Sequence, residues 1–357
     1  MTARPGRRRP FGRAWPWIKF GAGVALGAVA LWVVAGRRGE LSGASHYLSH
    51  LRWQWLAAAA VAEYASFVAF AVVQRRLLGA GGVTMSLGRL TAVTLASTAI
   101  ANSIPAGPVV SSVFAFRQYR RYGADPALAG WTLGAVFVTA AVSLAVLAGA
   151  GVGIAGAEGA SLDLVGVTAG VLAAALLLGA LFVQRRIAVW VVTGVIGLSS
   201  RWLRWPRGDV AARIDTMVLR LTAVTLTGRR IASAAGWGLA NWVLDCGCLA
   251  LSFLALGIGV PWKGLLLAYG AGQLAANLPI TPGGLGVVEG SLTVALVAFG
   301  GSETSTVAAV LLYRILSFWI GLPVGWGTWA AIVVSDRRHP PLPEIPAPAR
   351  PSAEVQR

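Results

Sequence analysis

Predominantly apolar stretches long enough to cross a bilayer recur along this chain, and they restrict it to one kind of solvent. A spanning helix needs roughly 20 mostly apolar residues. Such stretches lie at 17–35, 53–73, 127–150, 164–183, 232–256 and 306–334. Only 12% of the 357 residues are charged and 56% are apolar, too little charge to cover a water-soluble surface of this size. The expectation is an all-α polytopic membrane protein. Disordered chains, disulfide scaffolds and ordinary cytosolic enzymes are excluded.

The formal net charge is nevertheless +17, from 30 basic and 13 acidic residues. A basic protein invites a nucleic-acid reading, but the placement of the charge argues for topology instead. With the N-terminal tail in the cytoplasm, and 88–116 entering and leaving by the cytoplasmic side, 25 of the 30 basic residues fall inside. They lie in the tail, the 74–90 and 117–125 loops, the nine-Arg loop at 184–230 and the C-terminal tail. This is the positive-inside pattern. A full crossing at 88–116 would place the nine-Arg loop outside. The same logic makes 264–299 re-entrant from the outer side, with Glu158, Asp163 and Glu303 outside. The expected architecture is about six full transmembrane helices plus two re-entrant helical hairpins, with both termini cytoplasmic in the plasma membrane. Residues 187–199 are apolar but short, which suits an interfacial helix, although together with 181–186 they would span.

The two broken segments resemble each other. One reads Ala101-Asn102-Ser103-Ile104-Pro105-Ala106-Gly107-Pro108, the other Ala276-Asn277-Leu278-Pro279-Ile280-Thr281-Pro282-Gly283-Gly284. Each follows a span with a carboxylate at membrane depth, Glu63 and Asp245, and each precedes a long apolar span. Units at about 53–150 and 232–334 therefore form an inverted repeat, a transporter design that places broken helices near the midplane. A basic tail (1–16), one transmembrane domain (17–335) and a Pro-rich, disordered tail (336–357) complete the expected organisation.

Thr281 can cap a helix and Pro282 suits its first position, so a half-helix is expected from about 282 to 298. Its free N–H groups and positive dipole end would accept a phosphate, and Gly283, Gly284 and Gly286 would let a head group approach the backbone. Gly286, Glu289 and Thr293 are spaced to share one face. Glu63, Asp245, Glu289 and Arg314 are the ionisable residues at membrane depth, costly there and by default functional. Arg314 needs a partner, and Glu289 and Asp245 are available; the bland alternative is an ion pair that only fixes packing. Asn241 shares a face with Asp245. The expected substrate-binding set is Glu63, Asn102, Pro105, Gly107, Asn241, Asp245, Asn277, Thr281, Pro282, Gly283, Gly284, Gly286, Glu289 and Arg314.

Other features are bland. Arg8-Arg9-Pro10-Phe11 resembles a twin-arginine signal but reads as an uncleaved anchor. Gly130/Gly134 and Gly321/Gly325 have the spacing that lets helices approach closely. The 15 Trp gather near span ends, as in an aromatic belt. Trp202 and Trp205 would seat the nine-Arg loop on the anionic inner leaflet. Cys246 and Cys248 read as packing residues, and His46 and His50 lack a third ligand. No P-loop or HExxH motif occurs, and no cofactor or metal is expected.

The run Pro282-Gly283-Gly284-Leu285-Gly286-Val287-Val288-Glu289, followed by Tyr313-Arg314, resembles the signature of the lysylphosphatidylglycerol synthase transmembrane, or flippase-like, family. The resemblance covers roughly 15–335 and is specific at 277–314. It implies movement of a lipid between leaflets, as the family's association with aminoacylated phosphatidylglycerol suggests. It carries over to Pro282, Gly283, Gly284, Gly286, Glu289 and Arg314. Full-length synthases add an aminoacyl-transfer domain, which this sequence lacks, so it is not expected to make the lipid or to be an enzyme. The repeat-equivalent of 313–314 reads Val136-Phe137-Val138, without the charge that family members often carry there. The expected function is a flippase-like transporter taking a phospholipid or polyprenyl phosphate through a central polar cavity. The alternative is a non-catalytic scaffold for lipid or envelope-glycan synthesis. Partners would be membrane lipid, a second copy of the chain or an envelope-synthesis enzyme, and no nucleic acid.

Overall fold

The computed structural model describes residues 51–104, 107–156, 227–276 and 282–338. The expected spans at 17–35 and 164–183, the 187–199 stretch, most of the 184–230 loop, the basic tail and residues 339–357 lie outside these residues, as do Pro105, Asn277 and Thr281. The first three residues of the tail expected to be disordered, 336–338, instead continue the last helix. Among the described residues all regular structure is helical. The order is α1 (Trp53–Ala80), α2 (Leu87–Ser103), α3 (Gly107–Arg121), α4 (Pro126–Gly156), α5 (Gly228–Ala255), α6 (Trp262–Ala276), α7 (Val287–Ala298), α8 (Glu303–Arg314) and α9 (Gly321–Arg338). A π-helical turn, Ile315–Trp319, joins α8 to α9, so Glu303–Arg338 is one 36-residue rod. A long helix, two short helices and a long helix thus occur twice in succession.

Four elements are long and apolar enough to cross a membrane: Trp53–Ala80, Pro126–Ile154, Gly228–Ala255 and Glu303–Arg338. A 28-residue helix such as α1 is about 42 Å long against a hydrocarbon core of about 30 Å. By contrast α2, α3, α6 and α7 have 17, 15, 15 and 12 residues, about 18–26 Å each, too short for a crossing. The chain's Pro and Gly punctuation sets these lengths. The entry to α4 is of the same kind: Asp125 accepts the N–H groups of Ala127 (2.8 Å) and Leu128 (3.0 Å), with Pro126 in the first turn.

The long helices keep large apolar side chains on their outer faces, among them Val61, Phe137, Val146, Val243, Ile320 and Val334. That surface suits lipid rather than water. Inside, α1 packs along α5, α2 along α9, and α6 against both α4 and α7. Two apolar cores result. One centres on Leu249, Phe253, Tyr269, Leu292 and Tyr313, the other on Leu78, Leu90, Tyr119 and Ala129.

Of the small-residue pairs, Gly325 behaves as its spacing suggests. A Cβ there would lie 2.4 Å from the Leu95 carbonyl oxygen and 2.5 Å from the Ala99 Cβ, so α9 touches the α2 backbone. Gly130 and Gly321 face open space, so they are not contact residues within the described part of the chain.

The ends of the short-helix pairs are tied together. Arg89 at the start of α2 and Arg121 at the end of α3 both pair with Asp336 near the end of α9. Gln118 joins them, donating to Asp336 at 2.8 Å and accepting from Arg89 at 3.2 Å. In the second pair, Gly264 near the start of α6 lies under the ring of Phe299, which follows α7. Arg52 N–H donates to the Ala255 carbonyl at 2.8 Å, so the start of α1 meets the end of α5.

Candidate functional site

Pro282–Gly284 forms a short 3-10 turn, and α7 starts only at Val287, five residues later than the sequence predicts. Gly283, Gly284 and Gly286 take φ values of +62°, +66° and +81°. An α-helix cannot run through left-handed residues, so the glycine run overrides the Thr281-Pro282 start signal. The geometry also requires glycine at 283. A Cβ there would lie 2.2 Å from the Phe318 ring and 3.3 Å from the Asn102 carbonyl oxygen. The two broken segments therefore meet, Asn102 of the first against Gly283 of the second.

Arg314 holds this junction. Its Nε donates to Glu289 Oε1 at 2.7 Å and its Nη2 to the Gly283 carbonyl at 3.0 Å. The guanidinium carbon lies 4.5 Å from the centre of the Phe318 ring. The residue is only 7% exposed. Nη1 has no partner among the described residues. The other carboxylate oxygen of Glu289 accepts the Gly286 N–H at 2.7 Å. The sequence suggests free N–H groups at this helix start. Instead Glu289, in the first turn, supplies its own anion to the dipole end.

A second polar cluster lies beside the first, around Asp245 of α5. Tyr269 donates to its Oδ2 at 2.7 Å, Gln273 to the same oxygen at 3.4 Å, and Tyr313 to Oδ1 at 2.9 Å. Gln273 also donates to the Tyr313 hydroxyl at 3.2 Å. Glu63 of α1, 7% exposed, brings its carboxyl against Asp245 and the Cys248 thiol. Its Oε2 is buried without a hydrogen-bond partner. Tyr313 and Arg314 are consecutive, so α8 places one residue in each cluster, and the charge of Arg314 acts on Asp245.

The candidate residues thus divide. Asn102, Gly283, Gly286, Glu289 and Arg314 converge on the junction, and Glu63 and Asp245 touch each other. Gly284 allows close packing, since a Cβ there would lie 2.7 Å from Val288 and 3.3 Å from the Cα of Ala276. At Gly107 a Cβ would lie 2.1 Å from the Ala101 carbonyl, so this residue closes the first break. Asn241 points elsewhere: it donates to the Ser66 carbonyl at 3.0 Å and ties α5 to α1. Pro282 belongs to the 3-10 turn. Sequence reasoning misses Tyr269 and Gln273, although their i, i+4 spacing marks one polar face on an apolar helix.

The family described as "Lysylphosphatidylglycerol synthase TM region" matches residues 21–325. Two proteins of Methanothermobacter thermautotrophicus, each described as "UPF0104 membrane protein", are similar over shorter stretches. One is 30% identical over 87 residues, covering 24% of this chain and 26% of the relative. The other is 38% identical over 80 residues, covering 22% and 23%. The chain thus spans about a quarter of the length of these relatives. The family match covers most of the sequence, including the whole of the Gly283–Glu289–Arg314 junction. The chain is a membrane protein and belongs to the lysylphosphatidylglycerol synthase TM-region family.

Proposed function

We propose that this protein is a non-enzymatic transporter that moves a lipid bearing a phosphate between the leaflets of the plasma membrane. The observation that carries the reading is the buried junction at which two helix breaks meet around Arg314. A cation that deep, touching backbone at a helix break, belongs to a path for a charged group. The short helices favour re-entrant hairpins. In the first, both outer ends gather at Asp336; in the second, Gly264 and Phe299 bring them together. With α1 starting where α5 ends, the two pairs enter from opposite faces, and the repeat is inverted. The positive-inside pattern then puts Asp336 and both termini in the cytoplasm.

In this mechanism a lipid phosphate reaches the Arg314 guanidinium and competes with Glu289 for it. Glu289 keeps the Gly286 N–H when it is displaced, so its charge is not stranded. Substrate binding and release of the α7–α8 tie are then the same event. The test is movement of labelled lipid by purified protein in liposomes, with a panel of phospholipids and polyprenyl phosphates. Wild type should exceed the protein-free rate and Glu289→Gln should change it; protein-free rates for both would reject the proposal.

A scaffold role is the second reading. It is favoured by the fact that Arg314 and Glu289 already satisfy each other. It predicts that the pair can be exchanged together for packed apolar residues with function kept.

A further inference from the structure

Besides the Arg314 junction, the core holds two carboxyl groups that no cation of the described residues touches. Glu63 and Asp245 lie mid-helix on α1 and α5, face to face. Among the described residues, each neighbouring helix supplies groups around them. α5 adds the Cys246 and Cys248 thiols, α6 the Tyr269 hydroxyl, α7 Glu289, and α8 Tyr313 and Arg314. That makes three carboxyls and one guanidinium, and Glu289 holds the guanidinium directly. Two carboxyls in hydrogen-bond contact need a proton between them, because neither carboxylate has one to give. Both oxygens of Asp245 already accept, from Tyr269, Gln273 and Tyr313, which is the pattern of a carboxylate. A proton shared by the two carboxyls is therefore assigned to Glu63.

We propose that the Glu63–Asp245 pair is a proton-binding site that carries one proton per transport cycle. The inference rests on the transporter reading and gives it an energy source. On the loading side, the O–H bond of Glu63 forms with a proton from water. With α1 and α5 packed together, as they are here, the proton is held between the two carboxyls. It leaves to water on the other side when the helices part enough to wet Glu63. Tyr313, bonded to Asp245 and adjacent to Arg314, links the state of the pair to occupancy of the phosphate site. A lipid anion arriving at Arg314 adds negative charge beside the pair, so the loaded state favours the proton. Lipid and proton travel together.

The experiment uses the full chain in liposomes, with two readouts. The first is the infrared band of a protonated carboxyl at neutral pH. It should be present in wild type and lost in Glu63→Gln, which keeps a donor to Asp245 and so protects the fold. The second is movement of labelled phosphatidylglycerol under an imposed pH gradient, with a sodium gradient as control. One proton moved down one pH unit is worth up to about tenfold in rate. Wild type should respond, faster toward the alkaline leaflet, and Glu63→Gln should not. Absence of the band, a rate indifferent to pH, or a response to sodium alone would overturn the proposal. A band without lipid movement in wild type would leave the proton site standing and remove the transporter reading instead.

Discussion

Replacing Arg314 with methionine removes the cation from a carboxylate that is largely buried. The side chains of Arg314 and Glu289 are 9% and 20% exposed, and the bond between them is 2.7 Å. Breaking a buried pair of this kind costs about 3–5 kcal/mol, mainly because one charge is left uncompensated. Loss of the Gly283 carbonyl bond falls within that range. Glu289→Leu strands the guanidinium and also removes the acceptor for the Gly286 N–H, a cap worth about 1 kcal/mol. The double variant leaves no stranded charge. It should lose only the cap and the carbonyl bond, about 2 kcal/mol together. Each single loss should therefore exceed the double loss by about 1–4 kcal/mol. Thermal unfolding in detergent can be followed with a thiol-reactive dye, because the two free cysteines of the described region, Cys246 and Cys248, are both buried. The order of stability should be wild type, double variant, then either single variant. If Arg314→Met is as stable as the double variant, the pair does not hold α7 to α8 and the reasoning fails.

Glycine substitutions give sharper local tests. Gly283→Ala forces a side chain into a φ of +62° and against the Phe318 ring, and should destabilise by about 2 kcal/mol or more in the same dye assay. Gly325→Val pushes α9 off the Leu95 carbonyl and should lower the unfolding temperature clearly. Gly130→Ala, in open space inside α4, should raise stability by about 0.5–1 kcal/mol. Asp336→Asn removes the shared partner of Arg89 and Arg121, so protease cleavage within the 81–86 loop should quicken with little change in the unfolding midpoint.

The long helices were legible because hydropathy over a bilayer-length window is a strong signal; 53–73, 127–150, 232–256 and 306–334 all lie almost wholly within helices. The breaks were legible from their Pro and Gly. What the breaks touch was not, since no periodicity says that Asn102 meets Gly283. The Thr281-Pro282 signal places the start of α7 too early, because the left-handed geometry of the three glycines that follow goes with the Phe318 ring and the Ala276 backbone packed around them. The four ionisable residues stand out in the sequence by their cost in a membrane. Their grouping into Arg314–Glu289 and Glu63–Asp245 needed the packing of α1 on α5 and of α7 on α8. Tyr269 and Gln273 escaped because a tyrosine or glutamine in an apolar helix carries too small a penalty to stand out.

The π-turn at Ile315–Trp319 sets the phase of the rod it interrupts. Ahead of it, Tyr313 and Arg314 face the two polar clusters. Beyond it, Gly325 lies on the α2 backbone and Trp326 donates to Ser103 at 3.1 Å. One residue advances an α-helix by about 100°. The π-turn takes up one residue more than α winding would over the same arc; were the same residues wound as a regular α-helix, Gly325 and Trp326 would swing away from α2 while Tyr313 and Arg314 stayed in place. The locally ideal helix is therefore the globally wrong one. The extra residue is what allows a single rod to read the inner clusters with one end and grip the first hairpin with the other.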